Sequence, residues 1–413
     1  MPVSLLERLS PGRFALVLLA LSFVVGLAGR GLHESYPVFV LPLTHEFGWS
    51  RAAISGVFAV SYVVVGFSGP AIGFLYDRFG ALALYGSGLG AIGLAAVLAT
   101  FCSEIWQLTL SLGLLMGFGA ASVGMVGFAA LLSRWFRTRL NLALAVAQSS
   151  YGAGLLLVAP LAQLLIDWQS WRAAYWCFGA VLLALLPVLA LVPWRRASEG
   201  HPDYGTPDPS ADPRPRESGL RFADALSDPT FWGIVWGFTF TGIGMYTVSV
   251  QAPAYLVSIG YDAQSAADAY GLVGLLLPIG VIGFGWLSDR IRRRHAMALA
   301  YGLSILGMLA LLGLADGPSL PLLMLFVLCF GGTFGSRGPA FLTIAARHFQ
   351  GAHIGRITGG LTVGMGGGAA IGAWLGGVLV DFTGGYIAGL WCGMASLVLA
   401  YMPYLVVRNM FRA

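Results

Sequence analysis

The chain has 413 residues, 57% of them hydrophobic and only 10% charged, with a mean hydropathy of +0.80 and a formal net charge of +5. A soluble domain carries about 25% charged residues, so this composition excludes one. All 23 basic residues are arginine and sit mostly in short loops between apolar runs, a pattern of membrane topology rather than of a nucleic-acid-binding patch.

A helix needs about 20 apolar residues to cross the hydrocarbon core. That length predicts twelve spans, near 14–42, 52–75, 81–101, 105–132, 141–166, 172–193, 231–257, 264–287, 296–315, 320–346, 355–380 and 386–407. The first, from Phe14, is too long for the core of a signal peptide and is expected to be retained. Residues 194–229 are rich in proline and charge and read as a polar linker. The expected fold is an all-α membrane protein. It has an N-terminal six-helix half at 1–193, a cytoplasmic linker at 194–229 and a C-terminal six-helix half at 230–413.

Nineteen arginines fall on the face shared by the termini and the linker, while Arg51 and Arg172 lie on the other. The opposite loops carry mainly acids: Glu46, Glu104, Asp167, Asp262, Asp316 and Asp381. The positive-inside rule therefore predicts cytoplasmic termini and linker in a multi-pass protein of the cell inner membrane, the plasma membrane. The four cysteines lack metal or disulfide spacing, and no HExxH, Walker or GxSxG pattern is present. No enzyme activity, cofactor or metal is expected.

The two halves repeat. Gly73-Phe-Leu-Tyr-Asp77-Arg78 after span 2 matches Gly285-Trp-Leu-Ser-Asp289-Arg290 after span 8, an offset of 212. Arg134-Trp-Phe136 matches Arg347-His-Phe349 at 213, and Trp176-Cys177 matches Trp391-Cys392 at 215. Duplicated halves around a midplane site are a common plan of secondary transporters.

These residues resemble the major facilitator superfamily, on the twelve spans, the 6+6 split and the Gly-x-x-x-Asp-Arg loop in both halves. Gly48-Trp-Ser50 to Ile54, Gly69-Pro70 and Tyr76-Asp77-Arg78-Phe79-Gly80 are similar to the branch of monocarboxylate transporters and oxalate/formate antiporters. Arg134-Trp-Phe136, Ala143 and Tyr151-Gly-Ala-Gly154 add to that likeness. The resemblance implies a cavity lined by spans 1, 4, 7 and 10 and alternating access. Asp77, Arg78, Asp289 and Arg290, in loops beside helix ends of both halves, read as cytoplasmic gate charges, with a topological marker as the alternative. The resemblance also implies a substrate-reading arginine in span 8 and, in the antiporters, a lysine in span 11. Both are missing: Tyr270 to Leu287 has no basic residue, and the basic residue of span 11 is Arg356, near its start.

Arg30 and Arg337 are the two arginines inside apolar segments, in spans 1 and 10. A guanidinium stays charged, and a charge at membrane depth marks a functional site by default. Both are therefore expected to bind an anionic substrate in place of the family's site, with a structural partner from another helix as the alternative for Arg337. At about 1.5 Å per residue they lie about a turn to either side of mid-span, so one small anion reaches both only if the side chains lean inward. Arg30, His33 and Glu34 share one helix face. His33 joins the expected substrate contacts, and Glu34 or His33 is the expected carrier of a coupling proton. An Arg30–Glu34 ion pair without a substrate role and a solvated helix end are the alternatives. Tyr36, Tyr246 and Gln251 are candidate hydrogen-bond donors to substrate or, equally, helix–helix contacts.

The expected function is secondary active transport of a small organic anion, a monocarboxylate first, by proton symport in a monomer. The alternative is an exporter of amphipathic drugs or metabolites driven by proton antiport, with both arginines paired internally. A non-transporting sensor or scaffold is disfavoured because no soluble signalling domain is attached.

Overall fold

The computed structural model describes residues 9–137, 139–202, 222–349 and 354–407, nearly all helical. Ten described helices are long and apolar enough to cross a membrane, and two shorter apolar helices, Arg51–Phe67 and Leu320–Gly331, complete twelve spans. Span 1 is Pro11–Phe47, span 4 Ile105–Leu132, span 5 Leu140–Trp168 and span 6 Trp171–Ala190. Span 7 is Pro229–Ser258, span 8 Ala263–Arg290, span 9 Arg293–Gly313, span 11 Ile354–Thr383 and span 12 Ile387–Tyr401.

Three spans are less regular than their apolar runs suggest, for local reasons. Span 2 begins as Arg51–Phe67 and resumes at Gly69. Pro70 there has no N–H to give the preceding turn, which breaks the ladder. The chain reverses into span 3 at Gly80, whose φ of 79° is in a region costly for any side chain. Spans 4 and 10 each carry a π-helical turn, Thr109–Leu115 and Val327–Gly331, followed by a break. In span 10 the break covers residues 332–336, and a second helical piece starts at Arg337 and ends at His348. The missing N–H of Pro339 leaves Gly335 without its helical donor and explains the position of that break.

Packing repeats as the sequence does. Span 1 lies along span 5 and span 7 along span 11; span 3 lies along span 6 and span 9 along span 12. The halves meet where span 2 packs on span 11 and span 5 on span 8. Glycines carry these crossings: a Cβ on Gly66 would sit 3.2 Å from the Cα of Gly366, and one on Gly152 would sit 2.1 Å from the carbonyl oxygen of Gly274.

The halves are tied together on the side opposite the linker. On the far side the Asp381 carboxylate of span 11 accepts from the N–H groups of Arg51 (2.9 Å) and Ala52 (2.7 Å), so an acid of one half caps a helix of the other. Gln251 Nε2 donates to Ser55 Oγ at 2.9 Å close by. These contacts close the halves on the far side.

That closure rests on glycine at position 377, where a Cβ would lie 2.5 Å from the carbonyl oxygen of Arg51. Gly377→Val is expected to hold the far side open. The check is labelling of Ser55→Cys by a membrane-impermeant maleimide, which should rise in the Gly377→Val background. Equal labelling in both backgrounds would remove Gly377 from the closing contact.

The described start of the linker is not extended. The short helix Trp194–Glu199 docks on the N-terminal half, where Trp135 Nε1 donates to the Ala197 carbonyl at 2.8 Å and Arg134 Nη1 to that of Ser198 at 2.8 Å. Residues 203–221 of the expected linker lie outside the described residues. At the start of span 7, Asp228 accepts from the N–H of Thr230 at 2.6 Å and faces His348 Nε2 at 2.7 Å. Burial alone would raise its pKa, but these hydrogen bonds hold it below the usual carboxylate value.

Candidate functional site

Span 1 gives its inward face to three ionisable groups because Arg30, His33 and Glu34 are spaced one helical turn apart. Arg30 is 8% exposed, and its Nη2 donates to Glu34 Oε1 at 2.5 Å. The guanidinium also lies over the Tyr151 ring of span 5, 4.8 Å from its centre. A desolvated contact of this kind is worth about 2 kcal/mol. The other Glu34 oxygen accepts from the Tyr62 hydroxyl of span 2 at 2.6 Å, and that hydroxyl is 3.0 Å from the hydroxyl of Tyr246 on span 7. An unbroken polar chain thus runs from Arg30 through Glu34 and Tyr62 to Tyr246, and its last link crosses between the halves.

His33 is fully buried behind this chain. Its Nδ1 is 3.4 Å from Glu34 Oε1, its Nε2 is 2.9 Å from Ser61 Oγ, and its ring packs against Phe58 and Tyr62. It therefore packs behind the carboxylate, with Nδ1 holding no hydrogen bond, and does not line the cavity in front.

That cavity has ≈ 490 Å³ of empty volume, its mouth included. Arg30 and Glu34 form one wall, Tyr246, Ser249 and Tyr270 add hydroxyls, and Leu155, Val273, Leu277 and Phe334 supply the apolar remainder. Residues from spans 1, 5, 7, 8 and 10 build it, so it lies between the halves. Of its hydroxyls, Ser249 and Tyr270 hold each other at 3.0 Å.

Arg337 faces elsewhere. It is 2% exposed and enclosed by the C-terminal half. Its Nη1 donates to the Thr333 carbonyl at 3.0 Å and approaches Met245 Sδ at 3.6 Å; its Nη2 donates to the Ala300 carbonyl at 2.7 Å and to the Ser304 hydroxyl. The Tyr301 ring lies 4.5 Å from the guanidinium carbon. Nε has no partner, and among the described residues no carboxylate pairs with this cation. Met245 and Tyr246 are consecutive on span 7, so one turns toward Arg337 and the other toward the cavity. The structure does not bring Arg30 and Arg337 together.

The remaining expected residues divide in the same way. Tyr246 lines the cavity. The Tyr36 hydroxyl donates to the Ile54 carbonyl at 2.7 Å with its ring stacked on Phe58, and Gln251 bridges the halves to Ser55; neither lines the cavity. Asp77, Arg78 and Arg290 are exposed, Arg78 against the rings of Phe74 and Phe79 and Arg290 against Trp286, and no ion pair engages them among the described residues. The side chain of Asp289 lies outside the described residues.

Sequence reasoning missed Tyr62, Ser249 and Tyr270 and gave Tyr151 no role. The available signal was the polar tip that each tyrosine must satisfy inside a bundle. Sequence spacing could not show that the partner is Glu34, which is 28 residues away.

A family model described as Major Facilitator Superfamily matches residues 18–359 and 279–410. Similar curated proteins include monocarboxylate transporter 13 of Bos taurus, 27% identical over 76% of this chain and 70% of that protein. Monocarboxylate transporter 12 of Homo sapiens is 30% identical over 60% of this chain and 52% of that protein. The uncharacterized MFS-type transporter YcxA of Bacillus subtilis is 24% identical over 85% of each chain. A bacterial homolog of the human lysosomal transporter Spinster, solved in an inward-facing and occupied conformation, has the same fold, with a TM-score of 0.74 at 13% identity over 98% of both chains. With the family model covering nearly its whole length, and twelve spans folded as two repeated halves, the chain belongs to the Major Facilitator Superfamily.

Proposed function

We propose that the protein carries a small organic anion, a monocarboxylate, by alternating access coupled to proton symport. The observation that carries this reading is the Arg30–Glu34–Tyr62 chain on the wall of the inter-half cavity. The Arg30 guanidinium, on the cavity wall, holds one carboxylate. With Glu34 ionised, that carboxylate is the protein's own. With a proton on Glu34, Arg30 is free to take the substrate's carboxylate in a bidentate geometry. Proton and anion then load together, and the cluster has the same net charge loaded and empty.

The relatives named monocarboxylate transporters support the substrate class. The arginine count supports assigning the linker side to the cytoplasm of a plasma-membrane protein, with the present conformer closed on the opposite side. Arg337 enters this proposal as the residue that fixes the break of span 10 and so presents Phe334 to the cavity. The gate charges after spans 2 and 8 would engage when the linker side closes.

Glu34→Gln separates the two halves of the proposal. It is expected to retain carboxylate exchange across proteoliposomes while losing accumulation driven by a pH gradient. Full gradient-driven accumulation in this variant would place the coupling proton elsewhere. The exporter reading pairs both arginines with protein carboxylates; Arg30 meets that condition, and Arg337 does not among the described residues.

A further inference from the structure

We infer that the preferred substrate is a monocarboxylate with a bulky apolar body, branched or aromatic, and not a short hydroxy acid or a dicarboxylate. This rests on the anion reading above and narrows it. The first argument is charge. Arg30 is the one cation among the lining residues, and it can satisfy one carboxylate. Arg337 is turned away, with both terminal nitrogens engaged by Thr333, Ala300 and Ser304. A second carboxylate on the substrate would lie in the bundle with no cation and only a few hydroxyls to receive it, at a cost set by burial of an unpaired charge.

The second argument is hydrogen bonding. The hydroxyls that a lactate-like α-hydroxyl would use are already engaged with one another, Ser249 with Tyr270 and Tyr246 with Tyr62. A substrate hydroxyl there must share what capacity these pairs leave and loses its water. The third argument is shape and polarity. Leu155, Val273, Leu277 and Phe334 line the cavity beyond Arg30, together with the tyrosine rings. Apolar surface of this kind rewards each added carbon of a ligand that reaches it.

The test is a competition series on detergent-solubilised full-length protein, read by thermal shift, with acetate, butyrate, hexanoate, phenylacetate, lactate, oxalate and succinate. Apparent affinity is expected to rise about fourfold per added methylene from acetate to hexanoate, the value of one buried methylene. Phenylacetate should exceed lactate, and oxalate and succinate should give no shift. Phe334→Ala, with its own melting temperature recorded, should lower the preference for phenylacetate over butyrate; Leu277→Trp, which fills the cavity, should reverse the preference toward acetate. Tighter binding of lactate or oxalate than of hexanoate and phenylacetate overturns the inference while leaving the anion reading in place. A series in which no carboxylate shifts the protein overturns both.

Discussion

Arg30→Gln is expected to reduce carboxylate uptake into proteoliposomes by about 100-fold or more. Truncating one partner of a buried, hydrogen-bonded charge contact costs about 2–5 kcal/mol of binding, and each 1.4 kcal/mol is roughly tenfold. The loss should appear in exchange as well as in pH-driven uptake, because the cation that receives the substrate is gone in both. Arg30→Lys should recover part of the rate, since a point charge keeps the attraction and loses the two-pronged geometry. Solubilised Arg30→Gln protein should still elute and melt as a folded bundle, because Glu34 retains the Tyr62 hydroxyl as a donor. Uptake at the unmutated rate would remove Arg30 from the site.

Arg337→Ala is expected to act mainly on stability, by about 3–5 kcal/mol. The substitution empties a fully packed site and leaves the Ser304 hydroxyl and the Ala300 carbonyl without the donor they now share. A fall in the melting temperature of the purified protein is the measurement. Arg337→Met keeps most of the volume and removes a cation that has no carboxylate, so it should be milder. Its transport phenotype separates two roles. If Arg337 positions Phe334, Arg337→Met should change the discrimination between long and short carboxylates more than the uptake of any one. If Arg337 contacts the anion, uptake of all of them should fall together at an unchanged melting temperature.

Much of this was legible in the sequence because a membrane imposes a coarse rule: each crossing must be an apolar run of fixed length, so twelve spans could be counted and the halves aligned. The Arg30–Glu34 pair was legible for a similarly local reason, the spacing of four along one helix. Arg337 was marked by its charge alone, and the side it faces is set by a π turn, a five-residue break and Pro339 acting together, which no hydropathy period records. Tyr62 and Tyr270 were hidden because their partners come from other helices, at separations that only the folded bundle closes. The expected cavity helices 1, 4, 7 and 10 were half the account, since span 5 and span 8 supply Leu155, Val273 and Leu277 directly.

The glycine crossings between the halves have a mechanical consequence. At Gly66 with Gly366, at Gly152 with Gly274 and at Gly377 with Arg51, main chain slides against main chain. Parting backbone contacts frees fewer side chains than parting interdigitated ones, although Leu155 packs on Gly274 and Pro278 on Gly152. The two halves thus meet largely backbone to backbone at these points, while the polar chain from Arg30 to Tyr246 and the Asp381 cap are discrete polar links between them. In the proposed cycle, cargo and proton would act by releasing or engaging those links.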